Sequence, residues 1–313
     1  MKTIPLGKSS LSASRLAYGC WRLVRADGPE ALTPEQRAAA REAVLAAYEA
    51  GYTLFDLADI YSRGAAEAAL GAVLREVAEL RERVVICTKG GIRFADEPPG
   101  APFRYDFSAE HLLRACEGSL RRLGVETIDL YLLHRPDYLC DPEEVARAFV
   151  KLRESGKVRA FGVSNFRPAM LAMLQKFCPL PLVAHQVELS LTRLDPLEDG
   201  VLDQCRQEGI TPQAWSPLGG GPLVGPIDAS LPRDVAGRLQ RLQTTLAELA
   251  GAHAVSPAAI ALAWLLKHPA GIQPVVGSTR PERIRDAATA DAVELSREEW
   301  YRLLEAARGR RLP

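Results

Sequence analysis

Short runs of consecutive apolar and β-branched residues recur along the chain. Within each run apolar residues continue rather than alternate with polar ones, which is typical of strands that are buried on both faces of a parallel sheet. Most of the segments between the runs are amphipathic. The eight runs are RLAYGC (15–20), YTLFDLA (52–58), RVVICTK (83–89), TIDLYLLH (127–134), VRAFGVS (158–164), PLVAHQV (181–187), GITPQAW (209–215) and GIQPVVG (271–277).

The segments between these runs begin and end with residues that are typical of helix boundaries. Thr33-Pro34-Glu35-Gln36 combines a capping box with proline at the first helical position. Asp141-Pro142, Ser256-Pro257 and Ser296 to Glu299 predict further helix starts. Glycines stand where the preceding helices should end, at Gly51, Gly124, Gly156 and Gly209. The pattern therefore predicts strands that alternate with helices.

This alternation over 313 residues predicts a (β/α)8 TIM barrel, as a single domain that spans 1–313. An open, doubly wound sheet is the alternative, but no GxGxxG motif follows the first run as a dinucleotide-binding sheet would require. The segments 4–7 and 9–16 predict an N-terminal hairpin that closes the barrel floor. The longest break in the alternation begins with GGGPLVGP, and it predicts a lid loop at 219–226 and an extra helix near 233–250.

Composition narrows the class of protein. Lys+Arg and Asp+Glu both total 39, so the zero net charge favours neither a nucleic acid nor an anionic membrane as partner. The six cysteines show no CxxC or zinc-ligand spacing, and no apolar run reaches the roughly 18 residues of a membrane span. The first residues lack the apolar core of a signal peptide. We therefore expect a cytoplasmic protein without a metal, with a small-molecule partner and, by default, a monomeric state.

Polar and aromatic side chains follow the carboxyl ends of the predicted strands, where barrel enzymes carry their chemistry. Taken singly, each has an ordinary structural interpretation, such as a turn aspartate, a solvated lysine or a buried histidine. Only 7 of the 39 basic residues are lysine, so a lysine at a buried strand end indicates a need for a compact ammonium group. In order, the strand ends carry Asp56 with Tyr61 shortly after it, Lys89, His134, Ser164 with Asn165, Gln186, and Trp215 with Ser216.

These groups together match the requirements of carbonyl reduction by hydride. Hydride transfer to a carbonyl carbon leaves an alkoxide that must be protonated, and the Tyr61 hydroxyl can supply that proton. We expect the ammonium group of Lys89, held by Asp56, to lower the pKa of the phenol. His134 can hydrogen-bond the carbonyl oxygen. The amides of Asn165 and Gln186 suit a carboxamide, and Trp215 offers a flat face to an aromatic ring such as nicotinamide.

Several segments resemble the aldo-keto reductase family, in its order and spacing and over almost the whole chain. FDLADIY (55–61) resembles the family's FDTAxxY segment, and VVICTK (84–89) resembles the strand that carries its active-site lysine. GCWRL near the start and GGG after AWSPL are most similar to the bacterial oxidoreductase branch. The other matching segments are DLYLLHRPD, GVSNF, HQVELS, AWSPLGGG and SPAAIALAWLLKHP.

The resemblance implies a role for each matching position. Tyr61 would be the proton donor, Lys89 and Asp56 the pair that tunes it, and His134 the group that orients the carbonyl. The cofactor would be NADPH, held at its carboxamide by Ser164, Asn165 and Gln186. It would stack on Trp215 and have its 2′-phosphate in GSTRPER (277–283). The implied cofactor-binding residues also include Gly19, Trp21, Ser216, Pro217, Leu218, Gly277, Ser278, Thr279 and Arg283.

The chain departs from the family pattern at several positions. Gly277 stands where many members carry lysine, so NADH stays possible beside NADPH. His185 replaces the more usual Asn, Trp215 the commoner Tyr, and Ser62 a frequent Gly. In addition, Thr279 to Glu282 has the spacing of a simple capping box, which is the alternative to a phosphate site.

Three functions compete at this point. The first is an NADPH-dependent reductase of aldehydes or ketones, and the second is a cofactor-binding regulatory or sensor subunit of the same fold with little turnover. The third, a metal-dependent hydrolase, would need clustered ligands, whereas His111, His185, His253 and His268 are scattered. The loops 21–30, 92–107 and 136–141 carry aromatic residues, which favour an aromatic or aliphatic carbonyl without identifying the substrate.

Overall fold

The eight apolar runs form the eight strands of a closed parallel barrel in the computed structural model, which describes residues 1–77 and 79–312. Each run coincides with one barrel strand to within a few residues at either end. In chain order they are β3 (Ala17–Gly19), β4 (Leu54–Asp56), β5 (Val85–Gly90), β8 (Ile128–Leu133), β9 (Val158–Ser164), β10 (Leu182–Glu188), β11 (Thr211–Trp215) and β12 (Gln273–Val276). Around the barrel the order is β10-β11-β12-β3-β4-β5-β8-β9, so the TIM barrel is confirmed.

Two short antiparallel pairs accompany the barrel. The predicted N-terminal hairpin consists of β1 (Thr3–Pro5) and β2 (Ser12–Ser14). It packs on the amino-terminal side of the barrel, where the Gly7 amide donates to Thr211 Oγ1 at 2.8 Å. Gly7 has φ +51, and a Cβ there would lie 2.4 Å from the Val183 carbonyl oxygen, so the turn needs glycine. The second pair, β6 (Ile92–Arg93) with β7 (Arg104–Tyr105), lies in the loop that follows β5.

Helices cover the outside of the barrel and begin close to the predicted start signals. The Thr33 and Ser296 capping boxes both form. The extra helix α8 is longer than predicted and runs to His253. The helices are α1 (Pro34–Glu49), α2 (Ala65–Glu76), α3 (Leu80–Arg83), α4 (Ala109–Leu123), α5 (Pro142–Glu154), α6 (Pro168–Phe177), α7 (Val201–Glu208), α8 (Arg233–His253), α9 (Pro257–Lys267), α10 (Pro281–Ala288) and α11 (Arg297–Arg308).

The core has two parts. The larger part lies between the strands and the helices, and it includes Phe55, Tyr131 and Trp264. The smaller part fills the lower barrel with residues such as Leu54, Leu130 and Val183. Above this apolar plug the barrel interior turns polar, because Lys89, Gln186 and Gln213 are buried there at 2% exposure or less. Buried polar groups need partners, so this polar layer is where the site is built.

Candidate active site

Lys89 is the centre of the site. It is the fifth residue of β5 and is fully buried. Its Nζ donates to Asp56 Oδ2 at 2.8 Å, to the Leu57 carbonyl oxygen at 2.8 Å and to the Tyr61 hydroxyl at 3.2 Å. An ammonium group has three hydrogens, so each of them has an acceptor, and the position of the nitrogen is set from three sides.

The positive charge of Lys89 is balanced by the carboxylate of Asp56. Burial by itself lowers the pKa of Lys89, but the carboxylate of Asp56 and the neighbouring Tyr61 outweigh burial, so the pKa of Lys89 is raised above its usual value. Lys89 therefore stays protonated at neutral pH. A buried ion pair of this kind is costly to break from one side, because an unpaired buried charge remains.

The expected direction of the Tyr61 pKa shift was wrong. Tyr61 begins a 3-10 helix, Tyr61–Gly64, and is partly buried. Burial is the largest influence and raises the pKa of Tyr61, while the Lys89 ammonium lowers it in part. Sequence reasoning had included the ammonium group and left out the loss of water around the phenol. The phenol therefore stays protonated at neutral pH, as a proton donor must.

The loop beyond Tyr61 accommodates serine where glycine is frequent. Ser62 has φ 48 and Arg63 has φ 49, both in the left-handed region. The Ser62 hydroxyl donates to the Val24 carbonyl oxygen at 2.8 Å, and the Gly28 amide donates to the Ser62 carbonyl oxygen at 3.2 Å. These two bonds hold the strained turn against the 20–31 loop.

His134 follows β8 and lies beside the phenol. The Tyr61 and His134 rings meet edge to face, with centroids 5.8 Å apart. Burial, and then the positive charges of Lys89 and Arg135, hold the pKa of His134 well below its usual range. The imidazole is therefore neutral at pH 7, and its Nδ1 is buried without a hydrogen-bond partner in the described part of the chain. A neutral ring can donate one N–H to an oxygen without adding a second cation beside Lys89.

Ser164, Asn165 and Trp215 form one hydrogen-bonded group. Asn165 Nδ2 donates to Ser164 Oγ at 2.7 Å, and Trp215 Nε1 donates to Asn165 Oδ1 at 2.9 Å. Asn165 has φ 60, a conformation that Asn tolerates better than most residues. His185 supports this turn because its Nε2 accepts the Phe166 amide at 3.2 Å. The indole plane is thus fixed at the carboxyl end of β11.

Gln186 is only in part available for a carboxamide. Its Nε2 donates to Asp56 Oδ1 at 2.8 Å and to Gln213 Oε1 at 3.1 Å. Since an amide nitrogen has two hydrogens, both are used inside the barrel, and only Oε1 is left to accept a bond from a ligand. The sequence had not indicated the link between Gln186 and Asp56.

The 277–283 segment is an exposed anion-binding candidate beside β3. Gly277 and Gly19 are close neighbours, because a Cβ on Gly277 would lie 3.9 Å from the Gly19 carbonyl oxygen. The capping-box alternative is wrong: Arg280 is the N-cap of α10, and no side chain caps that helix. Thr279 and Arg283 are exposed. Pro281 has no N–H, and the Arg283 amide already donates to the Arg280 carbonyl oxygen at 3.0 Å. The exposed Arg283 guanidinium is therefore the main group at the amino end of α10 that suits a phosphate.

The remaining expected cofactor residues line the rim. Trp21 follows β3, is 60% exposed and lies under the Arg22 guanidinium, apart from the Lys89 group. Ser216 has φ 50 and directs the chain into the turn that contains Pro217 and Leu218. The loop 219–226 continues from there, and Gln243 of α8 donates to the carbonyl oxygens of Pro222 and Gly225, each at 2.8 Å.

Sequence reasoning missed three residues near the site. Gln213 and Gln273 stand inside apolar runs, and a polar residue in a run that is buried on both faces was the available signal. Arg135 directly follows His134, and its guanidinium lies 5.3 Å from the centroid of the Trp215 ring. Nothing in the local pattern of HRPD distinguishes such an arginine from a solvated one.

Neither a metal-binding cluster nor a single membrane-spanning helix is found among the described residues. Within 1–77 and 79–312, no group of three or more His, Cys, Asp or Glu side chains is arranged to hold a metal ion. No single helix in these ranges has the length and apolarity to cross a membrane, and only the pair α8 and α9, bent by 90°, meets those two criteria together.

Comparison with known proteins identifies the family. The chain belongs to the aldo/keto reductase family, whose sequence profile matches residues 15–308. Members of this family are NAD(P)H-dependent oxidoreductases that act on carbonyl groups and alcohols, so this chain is an NAD(P)H-dependent oxidoreductase.

Individual relatives cover nearly all of the chain. A 6-dehydroglucose reductase of Novosphingobium aromaticivorans is 44% identical over 98% of this chain and 96% of its own length. A second protein of that name, from Agrobacterium fabrum, is 40% identical over 96% of each chain. Among solved structures, the glycerol dehydrogenase of Gluconobacter oxydans matches with a TM-score of 0.85 at 26% identity, over 97% of this chain and 94% of that one.

Proposed function

We propose that this protein reduces a small aldehyde or ketone to an alcohol with NADPH, and that Tyr61 donates the proton. The observation that carries the proposal is the ammonium nitrogen of Lys89, which bonds both the Asp56 carboxylate and the Tyr61 hydroxyl at 2.8 and 3.2 Å. A phenol bonded to a buried cation is the arrangement that proton donation to an alkoxide requires, because the cation stabilises the phenolate that is left behind.

Each residue of the buried cluster, defined as Asp56, Tyr61, Lys89 and His134, has one task. The neutral imidazole of His134 donates a hydrogen bond to the carbonyl oxygen and holds it beside the phenol. Tyr61 transfers its proton to that oxygen as negative charge develops there. Lys89 stabilises the phenolate, and Asp56 keeps Lys89 charged and in place. The high pKa of Tyr61 is no obstacle, since an alkoxide is far more basic than a phenolate.

The residues at the rim fit a nicotinamide dinucleotide. NADPH, when bound, supplies the hydride. The indole of Trp215 is held by Asn165 and offers a face for stacking, while Ser164, Asn165 and the free oxygen of Gln186 offer partners to the carboxamide. Arg283, Ser278 and Thr279 at the uncapped start of α10 would hold the 2′-phosphate. Gly277 supplies no cation, so NADH remains a possible second cofactor.

Two observations favour different substrates. The names of the relatives that are 44% and 40% identical favour a sugar aldehyde such as 6-dehydroglucose. The rim instead carries exposed aromatic side chains, with Trp21 at 60%, Phe103 at 54% and Tyr138 at 89% exposure, and these favour an aromatic or aliphatic carbonyl. We place the sugar aldehyde first, because the relatives match over nearly the full length whereas the aromatic residues stand in separate loops.

The decisive experiment combines binding and turnover on the wild-type protein. NADPH and NADH are titrated by nucleotide fluorescence, and NADPH oxidation is then followed with a panel that contains 6-dehydroglucose, a short aliphatic aldehyde and a benzaldehyde. We expect tighter binding of NADPH than of NADH, and oxidation that depends on an aldehyde. Binding without turnover across the panel would support the regulatory alternative, and absence of binding would refute both.

A further inference from the structure

Three glutamines stand at matching positions on neighbouring strands of the barrel. Gln186 on β10 pairs in register with Gln213 on β11, and Gln213 pairs in register with Gln273 on β12. Their exposures are 2%, 0% and 0%. Three large amides in a closed interior are costly to bury unless every polar atom has a partner, so their hydrogen bonds decide whether the arrangement can exist.

The amides form one continuous chain of hydrogen bonds. Gln186 Nε2 donates to Gln213 Oε1 at 3.1 Å, and Gln213 Nε2 donates to Gln273 Oε1 at 2.8 Å. At the lower end Gln273 Nε2 donates to the Ser14 carbonyl oxygen at 2.7 Å. Ser14 belongs to the N-terminal hairpin, so the chain starts at the floor of the barrel.

The upper end of the chain is Asp56. Gln186 Nε2 also donates to Asp56 Oδ1 at 2.8 Å, while the other carboxylate oxygen accepts from Lys89. In the barrel order β10 and β4 are four strands apart, on opposite walls, so the Gln186 side chain crosses the interior to reach Asp56. Asp56 is therefore held between Lys89 on one side and the amide chain on the other.

The chemistry of the two ends determines the direction of every amide. A backbone carbonyl and a carboxylate accept hydrogen bonds and cannot donate them. Gln273 must therefore direct its Nε2 to Ser14, which leaves its Oε1 to accept from Gln213. Gln213 in turn keeps its Oε1 to accept from Gln186 Nε2. Both ends require the same orientation, and that orientation leaves Gln186 Oε1 as the one amide oxygen of the chain without a partner inside it.

We propose that Gln213 and Gln273 are positioning residues for the reductase reaction: the amide chain from Ser14 holds Gln186 against Asp56, and thereby holds Asp56 on Lys89. Neither Gln213 nor Gln273 bonds Asp56, Lys89 or Tyr61, so the effect passes through Gln186. The proposal rests on the proposed function for its consequence in turnover, but its geometric part can be tested without any cofactor.

The first test removes the middle link. In Gln213→Met the side chain keeps its length, but the hydrogen bonds to Gln186 and Gln273 are both lost. We expect kcat to fall about tenfold, as small displacements of a catalytic group do. A crystal structure of this variant without cofactor should show the Gln186 Nε2 to Asp56 Oδ1 distance above the 2.8 Å of the wild type. An unchanged distance together with wild-type kcat would overturn the proposal.

A second variant separates positioning from a general loss of stability. In Gln213→Glu a protonated carboxyl can accept from Gln186 and donate to Gln273, whereas an ionised one can only accept. Burial raises the pKa of such a carboxyl, so at pH 6 we expect kcat close to wild type. As the pH rises, kcat should fall relative to wild type. A constant ratio of the kcat of Gln213→Glu to that of wild type over the whole pH range would contradict the proposed role of the amide chain.

Leu130→Val is the matched control, because Leu130 is a fully buried residue of the barrel interior without polar atoms. It should lower the unfolding temperature and leave kcat and its pH profile unchanged. A fall in kcat in this control equal to that in Gln213→Met would assign the effect to core packing and overturn the proposal. If the wild type itself reduces no carbonyl, the proposed function fails, while the crystallographic distance still decides the geometric part.

Discussion

The carboxyl end of the barrel contains two polar regions that are held in opposite ways. In the buried cluster, Lys89 is fully buried and all of its hydrogens have protein acceptors. In the 277–283 segment, Thr279, Arg280 and Arg283 are exposed, and the helix that follows them has no side-chain cap. Lys89 has all of its donors satisfied by the protein, whereas the exposed Arg283 guanidinium is available to a ligand.

Under the proposed function, this difference matches the task of each region. Groups that stabilise charge at a reacting atom work best when they are fixed and shielded from water, because a preorganised site needs no rearrangement during the reaction. Groups that bind a phosphate must also release it, and they are exposed to water. An exposed ion pair contributes little to the binding free energy and is screened by salt. We therefore expect large effects of substitution in the buried cluster and modest, salt-dependent effects in the 277–283 segment.

The largest effect is expected for Tyr61→Phe. The proton donor is lost while the ring remains, so kcat for aldehyde reduction should fall by about 10³-fold, within the range known for a general acid. The Kd for NADPH, measured by fluorescence titration, should be nearly unchanged. Tyr105→Phe is the control, because it removes a hydroxyl from the 92–107 loop outside the cluster. Equal activity of Tyr61→Phe and wild type would remove Tyr61 from the mechanism.

The second effect concerns stability in acid and arises at His185, which is buried behind the turn that carries Asn165. Burial lowers the pKa of His185 to about 4, whereas an unfolded histidine titrates near 6.5. Between these values the unfolded state binds the proton and the folded state does not, so stability is complete above pH 6.5 and falls as the pH is lowered toward 4. For this one group the loss is on the order of 3 kcal/mol.

Chemical denaturation of wild type and His185→Asn, from pH 7.5 to 4, measures this contribution. Asn does not titrate, so the free energy of unfolding of the variant should depend less on pH, although it starts lower because the bond to the Phe166 amide is weakened. His253→Asn is the control, since His253 is partly exposed at the end of α8. Parallel pH curves for wild type and His185→Asn would rule out the assignment.

A smaller effect is expected in the exposed region. Arg283→Ala should raise the Kd for NADPH about tenfold, the loss of one charge-assisted hydrogen bond, with little change for NADH. Arg285→Ala, on the same helix and paired with Glu49 at 3.8 Å, is the matched control. The difference should shrink as salt is added. If Arg283→Ala leaves the preference for NADPH over NADH intact, the 2′-phosphate is bound elsewhere.

The smallest effect is a change in local motion. If the loop 219–226 is a lid, its backbone amides should exchange hydrogen more slowly when NADPH is bound. The two bonds from Gln243 already restrain this loop, so the change should be modest and confined to it. Helix α5 serves as an internal reference. Identical hydrogen exchange with and without NADPH would show that the loop 219–226 is not a lid.

Much of the fold could be predicted from the sequence, for a local reason. Strands that are buried on both faces are mostly apolar, so RVVICTK and PLVAHQV could be predicted as buried strands. Helix starts such as Thr33 and Ser296 were also local, because a capping box satisfies backbone donors within four residues. The capping box that stood as the alternative at Thr279 does not form, because the N-cap of α10 is Arg280, one residue later.

The residues that meet at the strand ends could equally be predicted, since a closed parallel barrel brings those ends to one face. What the sequence could not supply was the balance between burial and charge, which depends on atoms far away along the chain. Tyr61 shows this: the ammonium of Lys89 alone would lower its pKa, yet burial raises it. The orientation of Gln186 is a second case, because it depends on Asp56, 130 positions away, and on a hairpin carbonyl at the barrel floor.

The sequence by itself thus determined the barrel, the family and the side chains that meet at its carboxyl end, because those follow from local periodicity and from motifs that the chain carries in order. Only the tertiary structure decided which atoms donate to which, how far water is excluded from the phenol, and that Gln213 and Gln273 connect the floor to Asp56. Hydrogen bonding and desolvation depend on distances of a few ångströms between residues on opposite walls, and those distances exist only after the barrel has closed.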